Sequence, residues 1–364
     1  IFNSVGKPLI LKHFSIDKLI NLYNKYNDIK LKKTSQKRRH SLNNTKKKSI
    51  KGSLPTRGSL PIELKGNTNE ITIKYLENEL ITRGIGKKEF GLLLKSKKIT
   101  KLIIPYSVTS IGESAFEYCS LKSVIIPNSV TTIGNDAFSS CSSLEKIEIP
   151  DSVTTIGNSV FSYCSSLESV IMHNSVTSIT NFTFFHCSSL EKIEIPNSVT
   201  TICEGAFSSC NSLKEIEIPD SLISIGENAF SSCSSLEEIE IPNSVTTIDE
   251  GAFFNCSSLK SVIIPDSVTS IDDSTFRGCS SLEEIEMPNS VTSIGESAFY
   301  ECSSLKSVII TDSVTSIGEK AFYKCSSLQS VIIPNSLTTI DDSAFENCSS
   351  LKYVIIPNSV TSIG

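Results

Sequence analysis

Nowhere does this chain hold the ~20 consecutive apolar residues that a membrane-crossing helix requires. Histidine is scarce. His13, His40, His173 and His186 are scattered, two of them in a basic N-terminal stretch. No Cys-x-x-Cys, His-Glu-x-x-His, phosphate-loop or dinucleotide-binding signature occurs. His186 does precede Cys187, but no positioned third group accompanies them, and Cys187 is one of many equivalent cysteines. With so little to catalyse with, the chain is expected to be no enzyme and to hold no cofactor or metal. Acidic residues are nearly missing from residues 1–66, where 3 Asp and Glu stand against 16 Lys and Arg. The remainder carries 36 acidic against 18 basic residues, so the net charge of −5 hides a basic arm on an acidic body. A leading methionine is absent before Ile1, and the last unit stops short at Gly364, which reads as a fragment.

What is present is a 23-residue unit. One copy runs Leu144-Glu-Lys-Ile147-Glu-Ile149-Pro150-Asp-Ser-Val153-Thr-Thr-Ile156-Gly157-Asn-Ser-Val160-Phe161-Ser-Tyr-Cys164. Cys119, Cys141, Cys164, Cys187, Cys210, Cys233, Cys256, Cys279, Cys302, Cys325 and Cys348 mark the copies. Every step is 23 residues except the first, which is 22 because its corner is shortened to Cys119-Ser-Leu121. A period in this range with Leu-x-x-Val-x-Ile spacing is that of a solenoid in which each coil touches only its neighbours. At ~4.8 Å per coil, eleven units make a stack on the order of 50 Å long. The cysteines then form a column of small buried hydrophobes, whose identical rotamers aim the sulfurs in parallel rather than at one another. Cys203 stands outside the column, in place of the Gly of Ile-Gly.

Within a unit, Leu-x-x-Val/Ile-x-Ile-Pro predicts a short strand ended by proline, and Asn/Asp-Ser a turn. Val-Thr-Ser/Thr-Ile-Gly predicts a second extended piece, and Glu-x-Ala-Phe one tight helical turn before the Cys corner. Residues 1–66 divide into an amphipathic helix over 15–31 and a disordered stretch over 32–66. Ser15 would cap that helix, with Ile16, Leu19, Ile20, Tyr23 and Tyr26 on one face. Residues 67–98 read as a degenerate capping repeat, with Ile85-Gly86 and Phe90 at the unit's spacing. Residues 99–364 are the regular solenoid, truncated at its C-terminal end.

The pattern Leu-x-x-Val-x-Ile-Pro-x-Ser-Val-Thr-x-Ile-Gly-x-x-Ala-Phe-x-x-Cys-x-x-Leu over 99–364 closely resembles the BspA-like, or Treponema pallidum type, leucine-rich repeats. The resemblance implies a curved right-handed leucine-rich-repeat solenoid with a parallel β-sheet on one face. It further implies surface display, adhesion to host matrix proteins and contact with other cells. The unit at 167–187 departs most, with Met172-His173 for Ile-Pro and Thr180-Asn-Phe-Thr-Phe-Phe-His186 for Gly-x-x-Ala-Phe.

On each strand the residue between the two inward apolar positions points outward. That column contains Glu194, Glu217, Glu240, Glu286, Ile309, Ile332 and Ile355, and the column two residues earlier contains Glu215, Glu238, Glu284 and Tyr353. Glu215, Glu217, Glu238 and Glu240 thus form a four-carboxylate block, open to three readings: a solvated face, a site for a basic partner, or a cation site. The last lacks the backbone carbonyls that Ca²⁺ prefers. Ile309, Ile332 and Ile355 beside Tyr353 form an apolar strip, which fits a protein interface or a face covered by further sequence. The arm's Lys37, Arg38, Arg39, Lys46, Lys47 and Lys48 fit a solvated tail, a targeting signal, a kinase site, or contact with nucleic acid or membrane. Asn181-Phe182-Thr183 is a glycosylation sequon if the chain is secreted.

The expected function is non-enzymatic protein binding at a cell surface, in adhesion or recognition of host or matrix proteins, with no small-molecule substrate. The alternative is a scaffold in cytoplasm or nucleus whose basic arm serves targeting.

Overall fold

The computed structural model describes residues 70–72, 100–104 and 106–364. The expected helix over 15–31, the basic arm and most of the expected cap lie outside the described residues. Each coil contributes a three-residue strand, from Lys101–Ile103 and Ser123–Ile125 on to Ser330–Ile332, and a two-residue strand, from Ser110–Ile111 to Ser362–Ile363. All pairings are parallel, and from Lys101–Ile103 onward they advance by one repeat, as in Ile147 opposite Val170 and Ile285 opposite Val308. The chain is therefore a parallel β-solenoid of about eleven turns. The short strand Glu70–Thr72 lies parallel to Lys101–Ile103, with Ile71 opposite Leu102.

Register follows from the interior. Leu144, Ile147, Ile149, Val153, Ile156, Val160, Phe161 and Cys164 are all buried, and their equivalents repeat this along the stack. A slip of one residue would turn every strand inside out, so the apolar period pins each coil against the last. The phenylalanines stack in one column from Phe116 to Phe345, with near-parallel rings whose centroids lie 5.1–5.7 Å apart. Beside them each thiol donates to the Phe carbonyl of the preceding coil, as Cys164 Sγ does to Phe138 O at 3.2 Å. These column cysteines are buried and free, while Cys203 is half-buried, 3.4 Å from Ser178 Oγ. Burial pushes the column thiols up, Cys164 and Cys256 to about 12 and Cys348 to about 11.

The expected helical turn at Glu-x-Ala-Phe is not one, and no helix occurs among the described residues. The backbone there alternates. In one coil the N–H groups of Ser159, Phe161 and Tyr163 donate to the next coil's Asn181, Thr183 and Phe185 carbonyls. Those of Ser162 and Cys164 close turns onto Ser159 and Phe161 of their own coil. Alternation requires left-handed residues at two points per coil, such as Ser159 (φ 57°) and Tyr163 (φ 59°), and 19 such residues are not glycine. Each costs roughly 1–2 kcal/mol against right-handed backbone, offset here by hydrogen bonds between coils that a helix would have closed on itself. The pattern of apolar spacing cannot distinguish the two, because both turn Phe inward.

Candidate functional site: the long-strand face

The three-residue strands expose two residues apiece around a buried centre. From Lys192–Glu194 onward the outward pair is fully open, and Ile309 and Ile332 are each 62% exposed, Ile355 75% and Tyr353 70%. Ile332 and Ile355 face each other across a parallel bridge, so Ile309, Ile332 and Ile355 do form one strip on three successive coils. The column closes at its start: Ile125 is buried and Ile103 half-buried. Glu194, Glu215, Glu217, Glu238, Glu240, Glu284 and Glu286 all lie exposed on this face. The basic-arm residues lie outside the described residues.

The four-carboxylate block is not bare. Lys192 sits opposite Glu215 and reaches both Glu217 Oε1 at 3.7 Å and Glu215 Oε2 at 4.0 Å. Exposed pairs of this kind are worth little in stability, but they place a cation at one edge of the block. The ladder is also uneven along the face. It is continuous where Lys-Ile-Glu meets Glu-Ile-Glu and where Glu284–Glu286 lies between two Ser-Val-Ile strands. It is interrupted where Glu215–Glu217 meets Glu238–Glu240, leaving a long Glu237 N–H to Lys214 carbonyl bond of 3.5 Å. Like charges directly opposite one another on a sheet are destabilising, and here they face each other at both outward positions. A second interruption falls between Ser169–Ile171 and Lys192–Glu194, beside the Met172-His173 corner. There His173 turns its two ring nitrogens toward Glu148 and Asp151 of the preceding coil, at 3.7 and 3.4 Å.

A third column bordering the face escaped the sequence reading. Between Glu191 and Lys306 the residue just before each strand alternates in sign, so Lys214 pairs with Glu191 (3.9 Å), Lys260 with Glu237 (2.5 Å) and Lys306 with Glu283, and nearer the start of the stack Lys122 pairs with Glu145 (2.8 Å). The lysine ammonium hydrogen-bonded to each holds Glu237 and Glu283 below the usual carboxylate range. The signal was available as sign alternation at a 23-residue separation. The opposite flank, by contrast, is uniform: the exposed residue just before each two-residue strand is Thr in coil after coil, with Ile223 as an exception. Threonine hydroxyls there donate to the preceding coil's carbonyl, as Thr292 does to Thr269 at 3.1 Å.

Aromatic side chains on the turns before the cysteines were also missed. Tyr163 stacks on His186 with centroids 4.9 Å apart, and Phe185 meets both edge-on. Phe182 packs edge-on against Phe185, and a Cβ at the left-handed Gly205 would lie 2.4 Å from the Phe182 ring. The departures noted at 180–186 are thus one cluster. In the sequon, Asn181 donates to Glu204 at 3.3 Å, and Thr183 is buried with its hydroxyl donating to the Thr180 carbonyl. Among the described residues no group of His, Cys, Asp and Glu is arranged to hold a metal ion, and no helix is long and apolar enough to cross a membrane.

The BspA type leucine-rich repeat region matches this chain over residues 85–211, 177–280 and 251–364. A solved leucine-rich repeat protein from Bacteroides ovatus is similar at 33% identity, covering 73% of this chain and 80% of that one, with a TM-score of 0.58. Another from Eubacterium ventriosum is 25% identical, covering 76% and 84%, with a TM-score of 0.53. The pneumococcal vaccine antigen PcpA shares the fold at 24% identity, covering 72% and 74%, with a TM-score of 0.54. No curated protein sequence matches.

Proposed function

This chain belongs to the BspA-type leucine-rich repeat family, and we propose that it is a non-enzymatic protein-binding solenoid that holds its partner on the long-strand face. One observation carries the reading. The buried positions hardly vary from coil to coil, while the outward pair runs through Lys-Glu, Glu-Glu and Ser-Ile on a ladder of fixed register. A surface that varies on an invariant support is what recognition of a particular partner uses, and the solenoid supplies it without changing fold. The binding residues are Glu194, Glu215, Glu217, Glu238, Glu240, Glu284 and Glu286 for basic groups, and Ile309, Ile332, Tyr353 and Ile355 for an apolar contact.

Adhesion at a cell surface, with extracellular-matrix or host proteins as partners, is the form of this function that the family resemblance favours. The intracellular scaffold is its rival, and antibodies against the solenoid that label intact source cells would decide for the surface. Binding itself is read by passing the full chain over immobilised matrix proteins. Saturable binding that weakens at least tenfold when Ile309, Ile332 and Ile355 become Ser, or when the four block glutamates become Gln, supports the face. Binding equal in both variants and in the parent removes it as the site. The acidic block also suits the chain's own basic segment around residues 37–48. A peptide of residues 32–51 added to the full chain should bind more weakly as salt rises, since exposed charges are screened beyond about 8–10 Å.

A further inference from the structure

Arg277 is the only arginine among the described residues, and it sits on the turns before the cysteines of an acidic solenoid. Its position, one past the column phenylalanine, is a buried serine in several coils: Ser139, Ser162, Ser208 and Ser231. Five consecutive coils depart from this, with Phe254, Arg277, Tyr300, Tyr323 and Glu346. The guanidinium carbon of Arg277 lies 4.4 Å from the centroid of Tyr300 and 5.7 Å from that of Phe254. Tyr323 stacks on the far side of Tyr300 at 4.9 Å, and Lys324 reaches over Tyr323 at 5.4 Å. Lysines elsewhere on this solenoid, such as Lys122 and Lys260, are paired with glutamates, and so is Lys324, with Glu301 at 2.8 Å. Arg277 has rings on two sides but neither a carboxylate nor a hydrogen-bond acceptor for its side chain among the described residues.

A guanidinium has five N–H donors in one plane and no acceptor. Held between two rings, it keeps an edge free for a planar, two-oxygen acceptor. Lys324 borders a depression of about 360 Å³ whose other lining residues are Ser280, Glu301, Ser303, Ser326 and Asn347. We propose that Phe254, Arg277, Tyr300, Tyr323 and Lys324 form a second interaction site, on the turns before the cysteines, that takes a carboxylate side chain of a protein partner. A protein fits better than a glycan. The rings stack on one another and offer edges and hydroxyls, where a sugar would need an open face. Tyr, Phe and Arg are also the side chains enriched at the cores of protein interfaces.

The test uses the full chain labelled with ¹⁵N, a glutamate-rich twelve-residue peptide, its glutamine counterpart, and a sulfated oligosaccharide. Arg277→Lys, whose spectrum assigns the Arg277 Nε–H signal, keeps the charge but removes the planar fork. The glutamate peptide should move that signal, bind at least tenfold more weakly to Arg277→Lys and to Tyr300→Ser, and leave the glutamine peptide inactive. Its affinity should be unchanged when Ile309 and Ile332 become Ser, which separates this site from the long-strand face. A signal unmoved by the glutamate peptide, equal affinity in Arg277→Lys, or movement by the sulfated oligosaccharide alone would overturn the proposal.

Discussion

The stacked interior and the long-strand face share one 23-residue period and behave oppositely. Inside, Phe, Cys, Leu and Ile recur at each step, because every coil must offer its neighbour the same surface it receives. Outside, the two residues flanking each buried strand centre swing from Lys-Glu to Glu-Glu to Ser-Ile, and the fold tolerates all three. The ladder is interrupted where two Glu-Ile-Glu strands meet and again beside the Met172-His173 corner. Packing therefore determines the repeat, while the face is free to vary within what the ladder tolerates.

Raising pH should break the interior and spare the face. Folded, the column thiols hold their protons to higher pH than unfolded ones, which ionise near 8.5. Stability is therefore full below about pH 8.5 and falls as pH climbs through the folded values, by about 1.4 kcal/mol per thiol per pH unit. With ten column thiols raised in this way, the urea midpoint should drop steeply between pH 8 and 10. A midpoint that stays level over that range contradicts a buried, protonated column. Thiol counting checks the same point: all twelve cysteines should react without reduction once denatured, and Cys203 first in the native chain.

Next in size is Phe230→Ala. It leaves a hole between Phe207 and Phe253 and should cost about 3–5 kcal/mol in denaturant unfolding. Glu240→Gln on the face should stay within about 0.5 kcal/mol, and equal losses from both would erase the contrast drawn here. Between the two falls Gly205→Ala, expected to cost about 2 kcal/mol: a left-handed φ of 57° is imposed on alanine, and its Cβ strikes the Phe182 ring. Wild-type stability for that variant would mean that this turn relaxes freely.

The least change is the most specific to the face. Converting Glu238 to Ser and Glu240 to Ile gives that strand the Ser-Ile flanks of its neighbour Ser261–Ile263. Stability should rise by about 0.2–1 kcal/mol per relieved pair, with slower amide exchange across residues 238–240. Unchanged exchange would show that something other than charge interrupts the ladder there.

Much of this was legible from residue order. Cysteine spacing counted the coils, and apolar alternation placed each inward side chain, because burial in a stack of identical units leaves one register. The outward columns were legible for the same reason. The turn before the cysteine was misread as helical, since the competition between bonding within a coil and between coils does not register in apolar spacing. The paired Lys–Glu border and the aromatic clusters at Tyr163–His186 and Phe254–Tyr323 depend on contacts one full repeat apart, between residues that look unrelated along the chain.

By itself, then, the order of residues determined a solenoid of 23-residue coils, its buried columns and the identity of the face, because periodic burial admits a single arrangement. Tertiary structure decided what that order left open. It decided which charges find partners across coils, where the ladder is interrupted, and that Arg277 lies between two rings. Those outcomes turn on distances between neighbouring coils, and a distance across the stack is set only when the coils pack.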